Sequence, residues 1–169
     1  CLYKCGFCAF SKGHGDEALR GKPYDLDHGE IIRRTVEAAE RGATEVCLQG
    51  GIHPRYTGTT YLEFCRSIRA AAPGIHIHAF SPLEVAQGAS TLGITPFEFL
   101  TRLKAEGLGT LTGTAAEILE DEIRALICPD KLNTEEWLTV VEAAHRAGFK
   151  TTATIMFGHT ETPRHWARH

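Results

Sequence analysis

The stretch ATEVCLQGG, residues 43–51, decides the fold, because it is a short apolar run that ends in a double glycine. A run of this length and composition is typical of a buried strand. A helix-like pattern with apolar residues on one broad face precedes it in residues 25–42, and a second helix-like pattern follows in residues 59–74. Strand and helix patterns therefore alternate around this stretch, which predicts parallel strands joined by helical crossovers.

The same alternation continues along the rest of the chain. Further strands are predicted in residues 74–82, within residues 107–119, and in residues 150–158. Further helices are predicted in residues 95–107 and 133–148. Capping boxes predict where helices begin, and they occur at the pairs Asp27/Glu30, Thr60/Glu63, Thr95/Glu98 and Thr114/Glu117.

The predicted strands are too few for a closed eight-stranded (β/α) barrel, which needs about 250 residues. We therefore expect an α/β fold, a partial TIM-like barrel with parallel strands and helical crossovers. Because the chain opens on Cys1 and not on Met, we expect a fragment that lacks the first strand and the C-terminal part of the barrel. The predicted organisation is one incomplete core domain over residues 1–169, with a cysteine loop in residues 1–22 and β/α units in residues 23–169.

The charge balance argues against two classes of partner. The net charge is −3 and the pI is about 6.3, so the charge balance gives no electrostatic reason to expect binding to nucleic acid or to an anionic membrane. No apolar run approaches the roughly 18 residues that a membrane-spanning helix needs. The six cysteines are not spaced like a disulfide framework. Cysteines that serve as metal ligands in a reducing environment fit better, which predicts a cytoplasmic protein.

Polar side chains follow the predicted strands where a simple turn would need only glycine or proline. In a parallel barrel the carboxyl ends of the strands share one face, and the active site lies there. We expect these side chains to line that rim and to bind substrate groups: Gln49, His53, His78, Ser81, Glu84 and Glu117.

Three cysteines, Cys1, Cys5 and Cys8, lie within the first eight residues. A structural zinc site usually takes four ligands in two Cys-x-x-Cys pairs, and only one such pair is present. A ferredoxin-type iron–sulfur cluster also takes four cysteines. Three thiolates on a four-iron cluster would leave one iron without a protein ligand and open to a substrate or cofactor. The absent fourth cysteine is therefore the functional feature.

This spacing, Cys-x3-Cys-x-Phe-Cys with Phe7 as the aromatic residue, resembles the cluster motif of the radical S-adenosylmethionine (SAM) superfamily. The resemblance implies a 4Fe-4S cluster whose open iron is chelated by SAM, which is then cleaved to methionine and a 5′-deoxyadenosyl radical. It implies that Cys1, Cys5 and Cys8 hold the iron. It also implies a set of SAM-binding residues, namely Phe7, Gln49, Gly50, Gly51, Ser81, Glu117, Thr154, Met156 and Gly158.

Within that superfamily the motifs CLQGGIHP, GTAAEIL and ICPDKLN are most similar to the deazaflavin branch. The likeness implies abstraction of hydrogen from L-tyrosine, cleavage of its Cα–Cβ bond and transfer of the 4-hydroxybenzyl group to 5-amino-6-(D-ribitylamino)uracil, on the way to deazaflavin Fo. It also implies a partner radical SAM subunit or fused domain, and an electron donor such as flavodoxin or ferredoxin. The futalosine enzymes of menaquinone synthesis are the alternative in the same branch, although they typically carry GGGAEI where this chain has GTAAEI.

The histidines support a more remote alternative. His76 and His78 are two residues apart on a predicted strand, so they face the same side. Such a pair binds catalytic zinc in barrel hydrolases, and His159 at a later strand end could add a ligand. This alternative predicts a zinc-dependent hydrolase in which the three clustered cysteines have no catalytic role.

Overall fold

The structure is a computed structural model that describes residues 1–11 and 24–169. Residues 12–22 of the predicted cysteine loop lie outside the described residues. The helices are α1 (His28–Glu40), α2 (Gly58–Ala71), α3 (Pro82–Thr91), α4 (Pro96–Ala105), α5 (Asp121–Ile127), α6 (Thr134–Arg146) and α7 (Pro163–Arg168). The strands are β1 (Glu45–Leu48), β2 (His76–Ala79) and β3 (Thr110–Leu111). Among the described residues, no helix is both long enough and apolar enough to cross a membrane.

The three strands form one parallel sheet in the order β1-β2-β3. Glu45 pairs with His76 at one end of the β1–β2 ladder, and His78 pairs with Thr110 in the next ladder. The predicted fourth strand is much shorter than expected, because it is reduced to a single parallel bridge between Leu111 and Thr151. Helical crossovers join these parallel strands, as the alternation predicted.

The main hydrophobic core lies between the sheet and the helices on its outer side. Helix α3 packs against α2 and α4, and α4 packs against α6. Burying each large apolar side chain contributes about 1.5–3 kcal/mol, so this cluster holds the helices against the sheet. Its fully buried members include Cys65, Ile68, Ala79, Val85, Phe99, Leu100, Leu103 and Leu111.

Two helices begin at other residues than predicted. Helix α2 has Thr57 as its N-cap, and Thr60 is the third helical residue that returns the hydrogen bond. The predicted helix start at Thr114/Glu117 is wrong, because residues 113–120 form a loop and α5 begins only at Asp121. Helix α3, which sequence analysis did not predict, follows β2 directly and places two consecutive helices between β2 and β3.

Candidate active site at the carboxyl ends of the strands

The first residues of the chain lie against the carboxyl end of β1. The Leu2 N–H donates a hydrogen bond of 2.8 Å to the Ile52 carbonyl oxygen. Cys1 packs so closely on Gly51 that a Cβ atom added there would lie 2.7 Å from the Cys1 Cβ and 3.2 Å from its Sγ. A side chain at position 51 would therefore displace Cys1, and the second glycine of the double glycine is required by this approach.

All three clustered cysteines are free thiols, with Cys5 buried, Cys8 half-buried and Cys1 exposed. Burial raises the pKa of the Cys5 thiol, and the nearby Lys131 ammonium opposes that shift. The donor set fits an iron–sulfur cluster, since it offers three uncommitted thiols on one short loop. In residues 1–11 and 24–169, however, no three His, Cys, Asp or Glu side chains converge as they would around a metal. Cluster ligation by these cysteines stays a prediction.

A buried carboxylate joins the end of β1 to the end of β2. Glu84 accepts hydrogen bonds from the Gly50 N–H at 3.1 Å, from the Ser81 N–H at 2.7 Å and from the Ser81 hydroxyl at 2.7 Å. The residue is only 3% exposed. Burial raises its pKa to about 7, although the three hydrogen bonds favour the charged form. Glu84 was expected to bind substrate at the rim; instead it is buried, and both of its oxygens are occupied by the protein.

Lys131, which sequence reasoning did not single out, connects two predicted SAM-binding residues. Its Nζ donates to the Glu117 carboxylate at 2.6 Å and lies 5.5 Å from the centroid of the Phe7 ring. The side chains of this ion pair are 12% and 16% exposed, so the pair is largely shielded from water. The chain thus brings Phe7, Lys131 and Glu117 together across 124 residues of sequence. Only the resemblance of ICPDKLN to the family pointed towards this lysine.

The loop after β3 owes its shape to a buried arginine. The guanidinium of Arg124 donates to the carbonyl oxygens of Ala116 and Leu132, and the residue is 3% exposed. Ala115 and Glu117 have positive φ angles of 60° and 49°, which a helix cannot accommodate. These contacts explain why the predicted helix start at Glu117 does not form.

Three of the predicted residues meet at the end of β3. The Met156 N–H donates to the Glu117 carbonyl oxygen at 2.6 Å, and the Thr154 hydroxyl donates to the Gly113 carbonyl oxygen at 2.7 Å. A Cβ atom at Gly113 would lie 1.8 Å from the Thr152 carbonyl oxygen, so only glycine fits there. The later segment and the loop after β3 are therefore in direct contact, although the regular fourth strand does not form.

Gly158 lies in a turn that is organised by Glu161, another residue that sequence analysis did not identify. Gly158 has a φ of 88°, a conformation that favours glycine. The Glu161 carboxylate accepts from the N–H groups of Gly158 and His159 and from the Trp166 indole. Burial opposes its ionisation, but these hydrogen bonds prevail and lower the pKa of Glu161 to about 2.

Of the remaining rim residues, Ser81 belongs with Glu84, whereas Gln49 and His53 do not join these groups. Gln49 is exposed and donates to the Cys47 sulfur at 3.4 Å. The His53 ring lies beside Tyr56, with ring centroids 4.8 Å apart. Ser81 is buried behind the rim with Glu84. The site therefore has three parts: Cys1 with the double glycine and Glu84, the Phe7–Lys131–Glu117 group, and the outlying Gln49 and His53.

The histidine pair lies in an open cleft of about 210 Å³. His76 and His78 both contact the Thr110 hydroxyl, at 2.8 Å and 2.7 Å. His159 instead contacts the Met156 carbonyl oxygen at 3.0 Å and the Glu161 carboxylate. In the described part of the chain these histidines do not form a three-ligand group, so the geometry gives the zinc alternative no positive support.

Comparisons with known proteins bear on the whole chain. The radical SAM superfamily profile matches residues 1–169. The chain is 46% identical over 169 residues to 5-amino-6-(D-ribitylamino)uracil–L-tyrosine 4-hydroxyphenyl transferase of Methanothermobacter thermautotrophicus, and it covers 45% of that protein. It is 44% identical over 169 residues to the FO synthase of Mycobacterium tuberculosis, and it covers 19% of that protein. The chain thus spans less than half the length of the curated relatives it matches.

A solved structure agrees with the fold. The crystal structure of methylornithine synthase superposes on this chain with a TM-score of 0.66 at 16% sequence identity. The match covers 89% of this chain and 40% of that one. At this identity the likeness shows the fold alone. The prediction of an α/β partial barrel with parallel strands is confirmed.

Proposed function

Because this chain belongs to the radical SAM superfamily, we propose that it breaks the Cα–Cβ bond of L-tyrosine and transfers the 4-hydroxybenzyl group to 5-amino-6-(D-ribitylamino)uracil. The observation that carries the proposal is identity of 46% and 47%, over all 169 residues, to two archaeal proteins that bear this transferase name. The reaction would yield the precursor of deazaflavin Fo, and the FO synthase relatives at 43–44% identity agree with that product.

Radical SAM proteins in general use a 4Fe-4S cluster and SAM. In this chain Cys1, Cys5 and Cys8 would hold the cluster, because their thiols are free and lie on the loop beside the end of β1. When bound, the cluster and SAM supply a carbon-centred radical that removes hydrogen from tyrosine. The protein's own contribution is to hold, orient and shield these groups.

The double glycine and the Phe7–Lys131–Glu117 group would bind different parts of SAM. Gly51 packs against Cys1, and it would receive the methionyl amino group together with Gly50. Phe7 is 42% exposed, which leaves its ring available to pack beside the adenine. Glu117, held by Lys131, would bind a polar group of the nucleoside, together with the segment around Thr154, Met156 and Gly158.

The substrates would bind to the polar groups that remain accessible at the rim. Gln49 and His53 lie just after β1, at that rim. His78, which was also expected there, lies instead beside a cleft lined by the residues with which the strands begin, Glu45, His76 and Thr110. The Gln49 and His53 side chains can pair with the amino and carboxylate groups of tyrosine and with the donors and acceptors of the uracil.

A second radical SAM unit would complete the deazaflavin ring. The same 169 residues cover 45% of the archaeal transferases but only 19% of the FO synthases, so the FO synthase chains are more than twice as long. A fused partner domain accounts for that difference, and a separate subunit would serve the shorter relatives. Flavodoxin or ferredoxin would supply the electron, and the free thiols suit a cytoplasmic location.

Substrate-dependent cleavage of SAM tests the proposal. The protein is loaded anaerobically with iron and sulfide, and 5′-deoxyadenosine is measured with tyrosine, diaminouracil, both or neither. We expect formation to rise at least about tenfold with both substrates, because hydrogen abstraction from tyrosine yields 5′-deoxyadenosine and the uracil then accepts the 4-hydroxybenzyl fragment. Cys5→Ser should abolish it, whereas Cys47→Ser, an exposed cysteine outside the loop, should leave it unchanged.

Two results would contradict the proposal. Stimulation by futalosine-type substrates, without any by tyrosine and diaminouracil, would assign the chain to the menaquinone branch. Activity that survives Cys5→Ser would exclude cluster-dependent chemistry altogether.

A further inference from the structure

The Glu84 side chain contacts the ends of both β1 and β2 in the site described above. Its Oε1 accepts from the Gly50 N–H, and its Oε2 accepts from the N–H and hydroxyl of Ser81. A carboxylate buried to this extent is costly unless it is fully hydrogen-bonded. Here its three hydrogen bonds offset part of that cost and join the two strand ends.

The contact with Gly50 continues directly to the cysteine loop. Gly50 precedes Gly51, against which Cys1 packs, and the next residue along, Ile52, receives the Leu2 N–H. Glycine has more backbone freedom than any other residue, so two in succession form a flexible strand end unless something restrains them. The hydrogen bond that the Gly50 N–H donates to Glu84 is such a restraint.

We propose that Glu84 is a positioning residue that acts through the Gly50 amide to fix the Gly50–Gly51 strand end for the methionyl group of SAM. The inference rests on the proposed function, since it takes the double glycine to be the SAM site. We do not expect Glu84 to touch SAM itself, because it is 3% exposed and both of its oxygens accept hydrogen bonds from the protein. A strand end that is ordered beforehand binds its ligand more tightly, because less conformational entropy is lost on binding.

The chain supplies a matched control in Glu98. Glu98 makes the same two hydrogen bonds to Thr95 that Glu84 makes to Ser81, at 2.9 Å from the N–H and 2.8 Å from the hydroxyl. It is exposed and lies on α4, the next helix along the chain. A substitution there removes a capping carboxylate without touching the double glycine.

The experiment compares Glu84→Ala, Glu84→Gln and Glu98→Ala with the wild type after anaerobic loading with iron and sulfide. Iron content is measured first. Hydrogen–deuterium exchange is then followed by mass spectrometry in the peptide that contains residues 48–52. The dissociation constant for SAM is taken from the change in the EPR spectrum of the reduced protein as SAM is added.

We expect Glu84→Ala to exchange faster in residues 48–52 and to bind SAM about tenfold more weakly at unchanged iron content. Glu84→Gln should recover part of both effects, because its amide oxygen still accepts one hydrogen bond. Glu98→Ala should match the wild type in both. If Glu84→Ala fails to fold, the same comparison is made between Glu84→Gln and the wild type.

SAM affinity within twofold of the wild type in the folded Glu84 variants would overturn the inference and leave the proposed function standing. A wild-type protein that takes up iron and sulfide but gives no spectral response to SAM would overturn the proposed function, and this inference with it.

Discussion

Two consecutive helices begin with the same pattern, SPLE in residues 81–84 and TPFE in residues 95–98, and both form a complete capping box. Their glutamates nevertheless have opposite environments. Burial raises the pKa of Glu84 to about 7, whereas hydrogen bonds from Thr95 lower the pKa of the exposed Glu98. The local pattern determines where each helix begins, and the position in the fold determines what the carboxylate does. Only Glu84 also holds a strand end of the candidate site.

The two capping boxes should differ most in the free energy of unfolding that is lost when each carboxylate is removed. Glu84→Ala leaves the N–H of Gly50 and both donors of Ser81 without their partner in a buried place, so the free energy of unfolding should fall by about 3 kcal/mol. Glu98→Ala should cost much less, because water can replace the lost acceptor. Guanidinium denaturation of both variants measures the free energy of unfolding. Equal losses in the two variants would contradict the claim that Glu84 contributes more to stability than Glu98.

The pH dependence of stability should have opposite signs at the two glutamates. The pKa of Glu84 rises from its usual 4.5 to about 7 on folding, so the folded state retains a proton that the unfolded state releases. Stability should therefore fall by up to about 3 kcal/mol as pH rises from 4.5 to 7, and stay level above that. Glu98, with its lowered pKa, loses its contribution only as pH falls below 4.5.

Denaturation of the wild type and Glu84→Gln at several pH values measures how much of the pH dependence of stability comes from Glu84. The variant should lose the decline between pH 4.5 and 7, because a glutamine does not titrate there. A decline that is as steep in Glu84→Gln as in the wild type would assign it to other groups.

Removing the capping hydroxyls of Ser81 and Thr95 should give a smaller difference in the free energy of unfolding. Thr95→Ala should lower the free energy of unfolding by about 1 kcal/mol, the usual effect of losing an N-cap. Ser81→Ala should cost about 2 kcal/mol, because it also removes a donor from the buried Glu84 carboxylate. Thermal unfolding of the pair gives the comparison, and a larger loss at Thr95 would reverse it.

The smallest effect is expected for Glu98→Gln. The amide oxygen can still accept from the Thr95 N–H, and the side chain stays in water. The midpoint of unfolding should be unchanged within error at pH 7, as should the iron content after loading. A clear loss of bound iron would mean that this exposed box also supports the cysteine loop.

The comparison also shows what the sequence could reveal. The capping box at Thr95 was predicted and is confirmed, because its signal lies within four residues. The contact between Gly50 and Glu84 spans 34 residues, and nothing in the local pattern indicates it. Sequence analysis therefore placed Glu84 at the accessible rim, whereas the structure buries it and pairs it with the Gly50 N–H.

The loop after β3 shows the same limit. The pattern at Thr114 and Glu117 is a valid helix start, yet the Arg124 side chain from the following helix binds the loop carbonyls and Glu117 adopts a positive φ. Lys131 contacts Glu117 and Phe7 because the fold brings these segments together, and no local pattern indicates it. The cysteine spacing, by contrast, predicted the superfamily from eight residues, because that ligand pattern is local and specific.

The EPR spectrum of the anaerobically loaded and reduced protein, with and without SAM, tests the central claim most directly. We predict a brown protein with a 4Fe-4S signal that changes when SAM is added, because the three cysteines would leave one iron open. A colourless protein that binds zinc and gives no such signal would contradict the claim, and would return His76, His78 and His159 to consideration as ligands.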